Sequence, residues 1–434
     1  MARILIFSAG VIPCVEIPTT SGGMRALQMC RALEAKNHEV MVSCPFGAQS
    51  YKPFTHLFTP DMLRLCFVDR PQEVIYRECK PDVVIFASNW QTLQGEWWPD
   101  CPVILDLCGP LIVESALHYG ADPDALTNLL QRKLAVLSHA DFFLCAGDRQ
   151  QWYFRQALAL AQVGLHEELP MAVMPFGIDP DWVQPREYSS QVGFVYAGGF
   201  YPWLDPEVAI EVILSRIDAA QSGSFTWIGG LLQPNRALEQ RFERLQNLIA
   251  ASSRASRSGH LPFGALMRRL SELSVSVEWM QSNVERDLAV TARTPLSLAL
   301  GLPVLMASNQ ELAAPIEKNQ AGWVLPPGDA SAVREAVDEI IRNPAEVARR
   351  GRHAQELARD RLDWHRQAAP LLAFVSNPRF RAHKRPRDLK RSFQPLTPGE
   401  ISLLRKLRSP AAQALRKVIG PCYRAWTRLS GGSE

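Results

Sequence analysis

The sequence predicts an α/β protein of two similar nucleotide-binding-type domains that face each other across a cleft, followed by a basic helical tail. Three observations predict this. Each half opens with an apolar strand, a paired glycine and a helical run. Near-continuous apolar strands alternate with helices through both halves. Charge then changes abruptly near the end of the chain.

The first opening is Ile4-Leu5-Ile6-Phe7, then Gly22-Gly23, then a helical run from Arg25 to Ala35. The second is Phe194-Val195-Tyr196, then Gly198-Gly199, then a run from Glu207 to Ala219. A glycine turn lets the backbone approach a ligand closely. The helix behind it aims free N–H groups and a partial positive charge at that ligand. One such site is equally a tight turn; two, about half a chain apart, suggest two nucleotide-fold domains.

The strands between them read as buried on both faces, which indicates parallel sheets covered by helices. In the first half they are His38–Val42, Pro81–Phe86, Pro102–Asp106 and Asp141–Cys145, with a helix from Ala125 to Leu137. The stretch Met171–Asp179 closes that half, and the polar, proline-bearing Asp181–Ser190 reads as a linker. The second half continues with strand Phe225–Ile228, helices Arg236–Ala251 and Ala265–Leu273, a strand at Val275–Trp279, a helix at Pro295–Leu300 and strand Pro303–Met306. Ala332–Phe374 is helical. The expected domains are 1–180 and 191–362, with 363–376 crossing back to the first and 377–434 as tail.

At 434 residues the chain holds enough apolar surface for two or three cores. Its 47% hydrophobic and 21% charged content is that of a soluble globular protein. The net charge of +3 hides an asymmetry: residues 376–434 carry 14 Lys/Arg against 3 Asp/Glu, a balance of +11 that leaves −8 for the rest. Any anionic partner is therefore a matter for the tail. The nine cysteines are scattered and form no CxxC pair, which fits reduced thiols in a cytoplasmic protein rather than a disulfide framework or zinc site. The N-terminus does not read as a signal peptide, and no apolar run is long enough to cross a bilayer as a helix. G-x-S-x-G is absent, as is G-x-G-x-x-G after either opening strand, which excludes the common hydrolase and dehydrogenase signatures.

Several pieces together resemble the family 4 glycosyltransferases over most of residues 1–376. They are Ser21-Gly22-Gly23-Met24-Arg25, Leu33–Val40, Pro81-Asp82-Val83-Val84, Pro175–Asp179, Gly301-Leu302-Pro303-Val304 and Ala321–Asp329. Gly198-Gly199-Phe200-Tyr201-Pro202-Trp203-Leu204-Asp205-Pro206 is similar to the Gly-Gly-x-x-x-Trp-x-Asp-Pro signature of a bacterial branch. The resemblance implies the GT-B fold of two facing Rossmann-like domains. It implies sugar transfer from a nucleotide-sugar donor, usually with retention of anomeric configuration and with no metal cofactor. Two positions depart from the pattern. The stretch Gly198–Asp205 has no basic residue where many members carry Arg and Lys. The two family glutamates would fall at Leu288 and Leu296, while the nearest acids are Glu285 and Asp287.

A nucleotide-sugar brings two negative phosphates and a leaving group whose charge grows in the transition state, so its site must supply N–H dipoles, cations or both. The phosphate candidates are Gly22, Gly23 and Arg25, the alternative being a structural loop with a solvated arginine. Gly198 and Gly199 end the second half's first strand, where ligands of open α/β sheets bind. Trp203, with Phe200 and Tyr201, either stacks on a base or sugar or packs between domains. By position Glu285 resembles the donor-sugar acid and Arg293 a diphosphate cation, or both are surface charges. Asp106, ending an apolar strand, either orients an acceptor hydroxyl or caps a turn. Glu114 and His118 are further candidates nearby. With retention, the leaving phosphate can itself take the incoming hydroxyl's proton.

In the tail, Leu404, Leu407, Ala411, Leu415, Val418, Cys422, Trp426 and Leu429 recur at steps of three and four, with arginines and lysines between. This basic amphipathic pattern fits docking of residues 380–434 on an anionic membrane, with packing on the acidic body as the alternative. No nucleic-acid module is recognisable. The expectation is a glycosyltransferase for a cell-surface glycan or lipid-linked acceptor, on the cytoplasmic side of the plasma membrane. A catalytically degenerate sugar-nucleotide-binding domain and a sugar-nucleotide epimerase are the alternatives.

Overall fold

The computed structural model describes residues 1–13, 18–44, 71–120, 122–165, 168–231 and 236–389. Its strands form two six-stranded sheets, and every strand pair is parallel. The first sheet contains β1 (Arg3–Phe7), β2 (Glu39–Ser43), β3 (Val83–Phe86), β4 (Val103–Leu107), β5 (Phe142–Cys145) and β6 (Met171–Val173), in the order β2-β1-β3-β4-β5-β6. The second contains β7 (Gly193–Ala197), β8 (Ser224–Ile228), β9 (Ala255–Ser258), β10 (Val275–Glu278), β11 (Val304–Ala307) and β12 (Gly322–Leu325), in the order β12-β11-β10-β7-β8-β9.

The apolar runs explain the strands. β3, β4, β10 and β11 are buried at every residue, as strands covered on both faces must be. β9 is the exception. Its sequence Ala-Ser-Arg-Ser has no apolar run because it is an edge strand, paired among the described residues with β8 alone.

Strand order reverses once in each sheet, between β1 and β3 and between β7 and β10. At such switch points the connections leave on opposite faces, and a crevice opens beyond the carboxyl ends of the strands. The paired glycines lie there. An added Cβ at Gly22 would meet Ala9 Cβ at 3.0 Å and Ser88 Oγ at 3.3 Å, in the loops after β1 and β3. Gly198 follows β7 directly.

Helix Ser21–Glu34 starts earlier than its apolar period suggests. The Thr20 side chain caps it, accepting the Gly23 N–H at 3.4 Å. The segment between the sheets is held by backbone bonds. The Ile178 N–H donates to Leu362 O at 2.7 Å, and the Trp364 N–H to Ile178 O at 3.1 Å. Helices Trp364–Gln367 and Ala369–Ser376 then put Trp364, Ala368, Leu371 and Val375 into the core of the first half, with Phe374 stacked 4.8 Å from Phe142.

The basic residues just after this point do not stand free. Arg381 donates its backbone N–H to Asp141 Oδ1 at 2.6 Å and its guanidinium to the carbonyls of Ala140 and Ser138. Lys384 Nζ reaches the same Asp141 oxygen at 2.6 Å. Cations here match the negative end of helix Pro123–His139. Up to Leu389 the body-packing alternative therefore describes the chain. The amphipathic pattern of residues 390–434, with Tyr423 and Trp426, lies outside the described residues, as do Cys14, Cys66 and Cys422. Among the described residues no helix is long and apolar enough to cross a membrane.

Gly177 tests the crossing geometry. An added Cβ would meet Trp364 Cα at 2.6 Å and Leu362 O at 2.9 Å, both backbone atoms that cannot rotate away. Gly177→Ala should cost about 1–3 kcal/mol, as overpacking does. Urea denaturation at unchanged slope measures it, and an unshifted midpoint would contradict this packing.

Candidate functional site

The second switch point gathers most of the expected donor residues. The Gly198 N–H donates to Ile228 O at 2.8 Å, and its carbonyl accepts Trp227 Nε1 at 3.2 Å. Tyr196 donates its hydroxyl to Gly199 O at 2.8 Å. Gly229, at φ +126°, lies where an added Cβ would strike Gly198 O at 2.2 Å. The loop is thus fixed by its carbonyls, and two glycines allow the close approach.

Arg293 lies directly behind this loop. A Cβ on Gly198 would stand 2.2 Å from Arg293 Nη1, so the glycine makes room for the guanidinium. Nε of Arg293 is 2.8 Å from both carboxylate oxygens of Glu278, the last residue of β10. Its guanidinium carbon sits 4.9 Å from the Tyr196 ring centre. Glu278 is fully buried and the Arg293 side chain is 15% exposed. Burial opposes the arginine's charge, and Glu278 more than offsets it, so the pKa is raised. The expected diphosphate cation is therefore already half of a buried ion pair.

A second arginine, which sequence reasoning did not single out, has spare capacity. Helix Val284–Leu288 is capped by Asn283, whose Oδ1 accepts the N–H groups of Glu285 and Arg286. Those neighbours form a bidentate pair, Nε to Oε2 at 2.6 Å and Nη2 to Oε1 at 2.7 Å. Both side chains are nearly buried, at 4% and 2% exposure for Arg286 and Glu285. Arg286 Nη1 is buried with no hydrogen-bond partner among the described residues. Glu285, the expected sugar acid, thus faces inward beside a guanidinium with one unsatisfied donor.

The short helix packs between two helices of the first half, Leu111–Tyr119 and Asp148–Leu160. Glu114 on the former feels both partners. Burial and the like charge of Glu285 push its pKa up to about 7, and Arg286 partly offsets this. His118 lies edge-on to Trp203, with ring centres 6.3 Å apart, and Trp203 stacks on Tyr201 at 5.0 Å. Trp203 is further tied to the cleft by its carbonyl, which accepts Asn283 Nδ2 at 3.1 Å. On the other rim the Asp148 N–H donates to Glu311 Oε1 at 2.8 Å, and Arg149 donates to Asp287 O at 3.2 Å. A carboxylate from the second half thereby caps a helix of the first.

The remaining expected residues lie at the first switch point. Gly22 and Gly23 are buried, and a Cβ on Gly23 would fall 1.9 Å from Val11 O. Arg25 and Asp106 find each other across 81 residues: Nε to Oδ2 at 3.0 Å and Nη2 to Oδ1 at 2.9 Å, both at 0% exposure. Asp106 also accepts the Ser88 N–H at 2.9 Å, and Arg25 donates to Pro175 O at 3.0 Å. Neither a solvated arginine nor an exposed carboxylate is present. The pair holds the loop after β3, the end of β4 and the segment between the sheets. Met24, the residue before Arg25, packs with Val195, Ile228, Phe263 and Leu296 of the second half, which brings the two switch points together.

No family model matches the chain, and no curated protein matches it in sequence. Solved structures do match. A sucrose-phosphate synthase from Thermosynechococcus elongatus superposes with a TM-score of 0.62 at 16% identity, over 86% of this chain and 98% of that one. The fold is GT-B. Anabaena HepE in complex with UDP and glucose matches at 0.63 and 12% identity, over 87% of this chain and 100% of that one. WaaG, a glycosyltransferase involved in lipopolysaccharide biosynthesis, matches at 0.57 and 13% identity, over 87% and 100%. The GT-B architecture that the resemblance implied is the one observed.

Two outcomes follow from the buried charges. Asp106→Ala and Arg293→Ala each leave one charge buried without its partner, which should cost about 3–5 kcal/mol of stability in urea unfolding; a loss under 1 kcal/mol would mean the pairs are solvated. Glu114 has its folded pKa raised from 4.5 to about 7, so the folded state holds a proton that the unfolded state releases. Stability should therefore fall as pH rises from about 4.5 to 7. Glu114→Gln should remove that part of the fall, and a pH profile identical to wild type would contradict it.

Proposed function

We propose that the protein is a glycosyltransferase that moves a sugar from a nucleotide-sugar to a glycan or lipid-linked acceptor. One observation carries the reading: the second switch point joins a glycine loop, two arginines and buried carboxylates, and its Glu285–Arg286 pair lies within electrostatic reach of Glu114 in the first half. GT-B neighbours support it, HepE with UDP and glucose among them.

In this reading the amide of Gly199, Arg293 and the Nη1 of Arg286 meet the diphosphate. Glu285 accepts hydrogen bonds from the donor sugar, and Trp203 stacks on the sugar or base. The N-terminus of helix Ser21–Glu34, at Gly22 and Gly23, adds its dipole. Arg25 and Asp106 work from behind, holding that turn and the acceptor side in place. The bond from the anomeric carbon to the leaving phosphate breaks, and one to the acceptor oxygen forms. The acceptor's proton passes to the leaving phosphate, so configuration is retained without a separate base. The leaving charge is met by N–H donors and guanidinium groups, so the reading assigns no metal. Residues 390–434 attract the protein to the anionic inner face of the plasma membrane.

A thermal-shift screen of UDP-, GDP- and other nucleotide-sugars tests this, followed by a turnover assay on each hit. A stabilising nucleotide-sugar that is turned over with release of nucleoside diphosphate is expected. Binding without turnover would make the chain a binding module, and conversion to an epimeric nucleotide-sugar would make it an epimerase. Replacing both members of the inward pair, Glu285→Gln with Arg286→Gln, leaves no lone buried charge. It should still weaken donor binding by about tenfold or more, since charge-assisted hydrogen bonds are lost. Unchanged affinity by calorimetry in the folded double variant would remove the pair from the site.

A further inference from the structure

Helix Asp148–Leu160 buries Gln150, Phe154, Ala157 and Leu158 and turns another face outward. On that face Trp152 is 68% exposed and Leu160 50% exposed, and Leu165, just past the helix end, is 54% exposed. Trp152, Arg155, Gln156, Ala159 and Leu160 follow one another at helical spacing, so they share a side. Arg155 lies 4.3 Å over the Trp152 ring. Single exposed leucines need no account, but an exposed tryptophan that shares a helix side with Leu160 and has an arginine over its ring does.

The end of the described chain comes to the same place. Arg387 donates its guanidinium to Leu160 O at 2.6 Å and its backbone N–H to Ser138 Oγ at 2.9 Å, and His139 Nε2 meets Arg387 O at 2.8 Å. Leu389 is 6% exposed. Residues 390–434 thus continue from a strap fastened at the C-terminal end of this helix. They hold nine Lys/Arg against two Asp/Glu, a net +7, with apolar residues at helical steps.

We propose that the outward face of helix Asp148–Leu160, with Leu165, docks on an anionic lipid bilayer. A tryptophan ring suits the headgroup boundary, leucines enter the acyl edge, and Arg155 keeps its charge at the phosphates while its stem lies on the indole. The described chain is fastened at the end of this helix by Arg387, and the residues that follow in sequence, 390–434, carry the positive charge that an anionic surface attracts. The first turn of the same helix forms one rim of the cleft, through Asp148 and Arg149. Docking on Trp152, one turn further on, therefore brings that rim to the lipid surface, where a lipid-linked acceptor would enter. The docking goes beyond the catalytic reading and stands without it, because lipid binding requires no nucleotide-sugar.

Co-sedimentation of the full chain with phosphatidylglycerol-containing vesicles, against phosphatidylcholine vesicles, tests the face. The variant is Trp152→Ser with Leu160→Ser and Leu165→Ser, exposed positions whose replacement leaves the core intact. Wild type should sediment with the anionic vesicles only, and less at high salt. The triple variant, with its tail unchanged, should bind about tenfold more weakly or worse, because three apolar side chains no longer leave water. Circular dichroism and the melting temperature should match wild type. Wild-type binding by the triple variant would show that the tail docks alone and overturn the assignment. So would failure of wild type to sediment at low salt. A lipid-free dimer that the triple variant dissolves in sedimentation velocity would mark the face as a contact between copies, and would overturn it too.

Discussion

A buried carboxylate–guanidinium pair stands at the switch point of each sheet, and the rest of the site is arranged around the two. Arg25–Asp106 fixes the first, and Arg293–Glu278 the second. A parallel sheet wound in both directions leaves a crevice where its connections part, and that crevice has few side chains to stiffen it. Each pair spans the gap. Arg25 links a helix, β4, the loop after β3 and the segment between the sheets; Arg293 links β10, β7 and the glycine loop. Buried pairs are poor sources of net stability, since desolvation consumes most of the attraction. Their effect here is geometric: each holds a glycine turn in one position.

Much of this architecture was legible in the sequence. The apolar runs of β3, β4, β10 and β11 and the two paired glycines carry the fold, because strands buried on both faces cannot alternate. β9 escaped, since an edge strand needs no apolar run, and Ala-Ser-Arg-Ser offers none. The site was legible only as a list of places. Gly198, Gly199, Trp203, Glu285 and Arg293 do gather at one crevice. That Arg25 would close on Asp106 could not be read, because partners 81 residues apart leave no local signal. Arg286 was in view beside Glu285, yet only burial shows that its last N–H lacks a partner. Arg381 and Lys384 were counted as free tail charge; the buried Asp141 that binds them gives no sign of it in sequence.

In the proposed reading, a chain without basic residues in its second glycine loop meets a diphosphate with charge from elsewhere. Charge arrives from the connection between β10 and β11, on Arg286 and Arg293, rather than from the loop itself. The first half contributes Glu114, a carboxyl that burial and the charge of Glu285 push up to about 7. Contacts across the cleft, Asp148 with Glu311 and His118 with Trp203, hold the halves together in this arrangement.

The central claim is that a nucleotide-sugar lies at the second switch point with its phosphates between the glycine loop and Arg286. A crystal structure of the full chain with bound UDP or the best-stabilising nucleoside diphosphate tests it most directly. The account predicts phosphate oxygens within hydrogen-bond reach of the Gly198–Gly199 turn and of Arg286 Nη1, with both buried ion pairs unchanged. A nucleotide bound at the first switch point, or one that leaves Arg286 Nη1 without a partner, would contradict it.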